Sequence, residues 1–270
     1  MSRRPPPLPP RAGTWACDHG AVHAIPRHEY ERLAALAAGV ELEALVGRRL
    51  AGEPLQYLER SIPFGSIELA VDRRVLIPRP ETEFLWEQAA AALGEAGPGT
   101  VIVDLGTGSG ALALALKHRF PAARVIATDT NSEALDLASS NADALGLAVE
   151  FKQGDLFEAV PSEVYERIDL LVANPPYVQQ AEWEHLPDDV RREPRSALIA
   201  GATGTEIIDR IAEGTYWWLG TGGWLFCEIG ETQGAHALEV FGRWLDTDLR
   251  RDLAGRDRIL VARKGARCCV

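Results

Sequence analysis

Asn174-Pro175-Pro176-Tyr177 follows directly on an almost continuous apolar run, Asp169-Leu170-Leu171-Val172-Ala173. Such a run is expected to form a buried strand, and two prolines straight after it cannot extend a sheet ladder. They turn the chain out at the carboxyl edge of the sheet, where doubly wound folds bind ligands. There the Asn174 carboxamide and the Pro175 carbonyl offer acceptors to both hydrogens of a planar NH2 group, and Tyr177 can cover its π-face. An amide nitrogen is a poor nucleophile because its lone pair is delocalised. Accepting both N–H bonds favours pyramidalisation and aims the lone pair at an electrophile such as a methyl sulfonium. No strong base is required, since the proton can leave after transfer. The bland alternative is a proline-rich turn.

Three other segments suit a bound cofactor. Gly106-Thr107-Gly108-Ser109-Gly110 lies between an apolar run, 101–105, and a helical pattern. Glycines at alternate positions permit positive φ and let a ligand lie against the backbone. The spacing is GxGxG rather than the GxGxxG of dinucleotide folds, and no P-loop lysine follows. A purely structural turn remains the alternative. Asp129 ends the next apolar run, 125–128, where a carboxylate can accept from both hydroxyls of a ribose; it could equally cap the following helix. Asp155, in Gly154-Asp155-Leu156-Phe157, could accept from an adenine amino group while Leu156 packs on the ring, or it could be an ordinary turn aspartate.

These segments need a scaffold, and the apolar periodicity supplies one. Strands are expected at 101–105, 124–128, 148–152, 168–173, 222–229 and 258–262. Helices are expected at 111–120, 132–145, 204–219 and 235–244. Alternating units with uninterrupted apolar strands indicate an α/β fold with a parallel, doubly wound sheet and helices on both faces. Ahead of it, residues 1–25 form an irregular Pro/Gly-rich tail, 26–54 a small helical cap, and 55–80 a β-hairpin and linker in extended structure. The remainder, 81–270, is one α/β domain that opens on a helix from Pro80 or Thr82 to about residue 93.

Composition narrows the function classes. The net charge of −11 argues against a protein that lives by non-specific attraction to phosphate backbones. Cys17, Cys227, Cys268 and Cys269 form no CxxC pair, and the six histidines (19, 23, 28, 118, 185 and 236) lie at no ligand spacing, so no metal site is expected. The polyproline after Arg3-Arg4 cannot form the apolar region of an export signal, and no run is long enough to span a bilayer, so a cytoplasmic location is expected. Trp217, Trp218, Trp224 and Trp244 are expected to pack in the core or between helices, while Trp183 could line a substrate pocket.

Taken together, these residues resemble class I S-adenosylmethionine methyltransferases, and within them the release-factor glutamine methyltransferase family. The resemblance runs through 52–58, 75–83, 104–110, Asn174-Pro175-Pro176-Tyr177, Arg192-Glu193-Pro194 with Ala197-Leu198, Gly222-Gly223 leading to Glu228, and 252–258. It implies a Rossmann-like, mostly parallel sheet of seven strands. It also implies that Gly106, Thr107, Gly108, Ser109 and Gly110 hold the methionine end of S-adenosylmethionine, Asp129 its ribose, and Asp155 and Leu156 its adenine, with Asn174 beside the cofactor. Asn174, Pro175, Pro176 and Tyr177 would grip the glutamine of the Gly-Gly-Gln loop of peptide release factors, with Arg79 and Pro80 nearby. The helical N-terminal region is shorter than the resemblance implies. That leaves methylation of an amide, amidine or amino group on a small metabolite as an alternative acceptor chemistry, with adenine methylation in nucleic acid disfavoured by the charge.

Overall fold

The structure, a computed structural model, describes residues 25–265. Cys17, Cys268, Cys269, His19, His23 and the expected N-terminal tail up to residue 24 lie outside them. The chain divides into two compact units between Glu59 and Arg60.

The first unit holds three helices, α1 (Arg27–Leu36), α2 (Val40–Leu50) and α3 (Leu55–Glu59). Leu33, Leu55 and Leu58 are its buried core, flanked by Ile25, Leu42, Leu45 and Val46. The Arg49 guanidinium forks onto the Glu29 carboxylate at 2.7 and 2.9 Å, tying α2 to α1. Extended structure was expected from residue 55, but 55–59 is helical. The Pro54 carbonyl accepts from the Tyr57 and Leu58 amides, and the i,i+3 pair Leu55/Leu58 then turns together toward Leu33.

In the second unit, β1 (Ser61–Phe64) and β2 (Ile67–Ala70) form an antiparallel hairpin. Then come α4 (Pro80–Leu93), β3 (Val101–Leu105), α5 (Ala111–Arg119), β4 (Arg124–Asp129), α6 (Ser132–Leu145), β5 (Glu150–Gln153) and β6 (Ile168–Ala173). A small pair follows, β7 (Val178–Gln179) with β8 (Ile199–Gly201). The chain closes with α7 (Glu206–Trp218), β9 (Leu219–Glu228), α8 (Gly234–Phe241), β10 (Asp246–Arg251) and β11 (Asp257–Arg263).

The main sheet has seven strands in the order β10-β11-β9-β6-β3-β4-β5. Strands β9, β6, β3, β4 and β5 are parallel, and β11 runs antiparallel to both of its neighbours. The pleat sorts the apolar residues into two cores. Ile102, Leu170 and Val172 face α4, α5 and the hairpin, whereas Val103, Leu105, Leu171 and Ala173 face α7 and α8. Strand β10 carried no signal in the sequence. Asp246-Thr247-Asp248-Leu249-Arg250-Arg251 is a charged edge strand, the composition that discourages pairing with another chain.

Two of the four tryptophans depart from the expected packing role. Trp217 is 51% exposed and Trp244 is 68% exposed, and they share a ring contact with Tyr216, edge-on for Trp217 and tilted for Trp244, at 5.2 and 5.9 Å between ring centres. Trp217 sits in the last turn of α7, and Trp244 follows the end of α8. Trp218 stacks on Phe157, and Trp224 lies beneath the Arg263 guanidinium.

Asn141, buried on α6, acts as a staple. Its Oδ1 accepts from the Ala70 amide at 2.8 Å, and its Nδ2 donates to the carbonyls of Ala70 and Ser109 at 3.1 and 2.9 Å. One side chain thus fixes the hairpin edge to the glycine loop. Asn141→Ala is expected to leave these backbone groups unpaired and to lower the unfolding free energy by about 3 kcal/mol. Urea titration would show an earlier midpoint at unchanged slope; an unmoved midpoint would mean that the hairpin is held by packing alone.

Candidate active site

Strand β3 marks the switch point of the sheet: the chain continues to β4 and β5 on one side and to β6 on the other. A cleft opens at the carboxyl ends of β3 and β6, as expected for such a sheet. It encloses about 1140 Å³ including its open mouth, and Asp104, Gly106, Gly108, Asp129, Asn174 and Pro176 are among its lining residues.

The glycine loop takes its shape from three left-handed residues, Gly106 (φ 75°), Gly108 (φ 54°) and Gly110 (φ 86°). The amides of Gly106 and Thr107 both donate to the Thr128 carbonyl at 2.9 Å, which pulls the loop over the end of β4. A methyl group built on Gly106 or Gly108 would meet no protein atom within 4 Å. At Gly110 it would lie 2.9 Å from Leu114 and 3.3 Å from Ala138. The first two glycines therefore leave room for a ligand, and the third leaves room for helix packing.

Two carboxylates, the buried Asp104 and the half-buried Asp129, support this loop. Asp104 accepts from the Thr107 hydroxyl at 2.7 Å and the Ala113 amide at 3.2 Å, both through Oδ2. Its Oδ1 is buried with no partner, and burial pushes the carboxyl up to about 7. Asp129 accepts from the Gly108 amide through Oδ2 and from the Asn131 amide through Oδ1, each at 2.9 Å. Each oxygen keeps a second lone pair for a ligand hydroxyl. Burial raises this carboxyl too, against the opposing pull of those amides. The Asn131 side chain, not that of Asp129, caps α6, accepting from Glu133.

Asp155 and Leu156 line the far side of the cleft. Asp155 is half-exposed and paired with the Arg210 guanidinium at 2.8 Å. Leu156 adopts φ 48°, a left-handed conformation that a leucine takes only under constraint.

Asn174 leaves β6 and donates through Nδ2 to the Thr82 hydroxyl at 2.9 Å. That hydroxyl donates in turn to Oε2 of Glu228, at 2.7 Å. Glu228 ends β9 and is 1% exposed. Burial pushes its carboxyl up to about 7, opposed by the Thr82 hydrogen bond and the nearby cation of Arg258. A second support comes from Gln233, whose Nε2 donates to the carbonyls of Tyr177 and Gly204 at 3.1 and 2.9 Å. Asn174 and Pro176 line the cleft, whereas Pro175 and Tyr177 lie outside its lining. Burial raises the Tyr177 phenol to about 12, so it stays protonated.

The connector between the hairpin and α4 is held by buried Glu193, which accepts from the Ile77 amide at 2.9 Å and pairs with the Arg79 guanidinium. Arg79 and Pro80 are not among the residues lining the cleft, whereas Pro78 and Thr82 are. Pro80 occupies the first turn of α4, where its missing N–H costs nothing. Trp183 also lies outside the lining and receives the Arg195 guanidinium over its ring at 5.1 Å. Among the described residues, no group of three or more His, Cys, Asp or Glu side chains could hold a metal ion.

Thr82, Glu193, Glu228 and Gln233 carried no assigned role in the sequence. One signal was available for Glu228: a carboxylate closing the apolar stretch Trp224-Leu225-Phe226-Cys227, at the edge where ligands bind.

Sheet order, switch-point cleft and glycine loop define the class: a Rossmann-like class I methyltransferase fold. Residues 82–192 match the family model "Methyltransferase small domain". A solved methyltransferase from Pyrococcus furiosus shares the fold at a TM-score of 0.56 and 15% identity, covering 82% of this chain and 98% of that one. Curated relatives are far more similar. The release factor glutamine methyltransferase of Xylella fastidiosa is 42% identical over 232 residues, 85% of this chain and 83% of its own. That of Moorella thermoacetica is 42% identical over 253 residues, 92% of this chain and 87% of its own. The chain belongs to the release factor glutamine methyltransferase family. Among the described residues, no helix is long and apolar enough to cross a membrane.

Proposed function

We propose that this protein transfers a methyl group from S-adenosylmethionine to the side-chain amide nitrogen of the glutamine in the Gly-Gly-Gln loop of peptide release factors. The observation that carries this reading is the arrival of Asn174 and Pro176 in the same cleft as the glycine loop. The residues present fit the cofactor: open space lies over Gly106 and Gly108, and an unpartnered carboxylate oxygen of Asp104 is buried at the cleft. Asp104 suits the ammonium of its methionine end, Asp129 its ribose hydroxyls, and Leu156 its adenine face.

When bound, the cofactor supplies an electrophilic methyl on a sulfonium. The Asn174 Oδ1 accepts one N–H bond of the glutamine amide in the cleft, and the carbonyl of Pro175, between the lining residues Asn174 and Pro176, is assigned the other, which frees the lone pair for attack. Transfer would form the N–C bond as the S–C bond breaks, and the nitrogen would then lose its extra proton to solvent, so the chain's own part is to hold and orient the amide through Asn174 and Pro175. The half-buried Tyr177 phenol, pushed up to about 12, takes no proton in this scheme. Release factors act in the cytoplasm, the location this reading requires. Neither relative described above is named for a small-metabolite acceptor, and nothing in the cleft favours one.

The direct test incubates the protein with S-adenosylmethionine and an unmethylated release factor, then maps the Gly-Gly-Gln peptide by mass spectrometry. One added methyl on that glutamine is expected; cofactor binding with no transfer to it would sink the proposal. A pH dependence follows from Asp104. Its carboxyl is raised to about 7, so it is charged above that pH and takes up a proton below it. Cofactor affinity is therefore expected to weaken roughly tenfold between pH 8 and pH 6, with the dependence lost in Asp104→Asn. Calorimetry at the two pH values checks this.

A further inference from the structure

We infer that Glu228 and Thr82 form a positioning relay that fixes which end of the Asn174 carboxamide faces the cleft, and so sets the preference for a carboxamide over a carboxylate acceptor. The inference rests on the proposed role of Asn174 in gripping a glutamine amide.

A carboxamide is nearly symmetric in shape but not in chemistry: one end only donates and the other only accepts. Rotated by half a turn, Asn174 would present Nδ2 to the substrate and repel an NH2 group. Something must decide between the two orientations. The Thr82 hydroxyl has a single hydrogen, and it is committed to Oε2 of Glu228 at 2.7 Å. Its oxygen can then only accept from Asn174, and the Nδ2 donor stands 2.9 Å away. A flipped carboxamide would set two acceptors face to face in a site where Thr82 and Glu228 are shut off from water. Oδ1 is thus left for the cleft.

The relay needs Glu228 to act as an acceptor. Burial, seconded by the Glu81 carboxylate, favours its neutral form, against the Thr82 hydrogen bond and the cations of Arg258 and Arg79, so the acceptor is ionised above about pH 7. Arg258 is held in place by a bond from Nη1 to the Ile229 carbonyl at 3.2 Å. Three separate elements contribute: α4 supplies Thr82, β9 supplies Glu228, and the end of β6 supplies Asn174. Thr82 and Glu228 need not touch the substrate. They act through Asn174, on the sign of the hydrogen bond it makes.

The test compares Thr82→Val, which keeps the shape and removes the hydroxyl, with Thr82→Ser, which keeps the hydroxyl. Glu228→Gln, whose amide can accept or donate, is a third variant. At pH 8, kcat for release-factor methylation is expected to fall on the order of 10- to 100-fold in Thr82→Val, with cofactor affinity unchanged. Thr82→Ser is expected to recover most of the rate, and Glu228→Gln to fall between the two. NMR of the ¹⁵N-labelled protein reads the relay without any substrate. The Asn174 side-chain NH2, assigned by its loss in Asn174→Ala, is expected to be protected from exchange in the native protein and in Thr82→Ser, and unprotected in Thr82→Val.

A native rate in Thr82→Val would overturn the inference. So would a Thr82→Ser variant as slow as Thr82→Val, or an Asn174 amide equally protected in both. Should the native protein leave the release-factor glutamine unmethylated, the proposed function fails alone, and the relay still stands or falls on the protection of the Asn174 amide.

Discussion

Asn174→Ala is expected to lower kcat on the order of 10²- to 10³-fold, the usual loss when one preorganised polar contact to the reacting group is removed. The effect arises because Asn174 supplies one of two acceptors to an amide whose lone pair is otherwise delocalised. Its loss is expected in kcat rather than in cofactor affinity. Asp104, Asp129 and the glycine loop are held by bonds that do not involve Asn174. Structural collapse is not expected either, because the following turn is anchored separately by Gln233 on the Tyr177 carbonyl. Single-turnover methylation of a release factor, with calorimetry of cofactor binding beside it, separates the two quantities. A variant that loses rate and cofactor affinity in equal measure would mean that Asn174 serves the cofactor instead.

Gly108→Val is expected to weaken cofactor binding at least about 100-fold, through two effects that add. Gly108 sits at φ 54°, where a β-branched residue is strained by roughly 1–3 kcal/mol. The new side chain would also enter space that no protein atom fills, the space assigned to the ligand. Gly110→Ala provides the contrast. Its methyl would press on Leu114 and Ala138, so the expected loss is in thermal stability as α5 and α6 are forced apart. Calorimetry and thermal melts on both variants test the division of labour. Equal loss of binding and stability in the two would show that the loop acts only as a structural turn.

Much of this arrangement was legible in the chain itself, because the features concerned are local. The apolar run 168–173 ended by two prolines has little choice but to be a buried strand leaving a sheet, and it does so as β6. Three alternating glycines between a strand and a helix require left-handed backbone, and all three have it. The strand–helix alternation dictated the layers, since uninterrupted apolar strands must be covered on both faces. Those are consequences of backbone sterics and hydrophobic period, which neighbouring residues alone impose.

What the chain could not declare depends on residues far apart in sequence. Leu55 and Leu58 became helical because Leu33 was there to receive them, and β10 formed because β11 offered an unpaired edge. Arg79 found its partner in Glu193, 114 positions along the chain. Asp155 met Arg210 across 55 positions. Above all, Thr82 and Glu228 lie 146 positions apart, and neither has an obvious role until the sheet brings both beside Asn174. A side chain's type sets which hydrogen bonds it can make, and sequence reports that much. Which partner is buried within reach, and so which end of a carboxamide faces the substrate, is decided only when tertiary packing excludes water and leaves each donor a single acceptor.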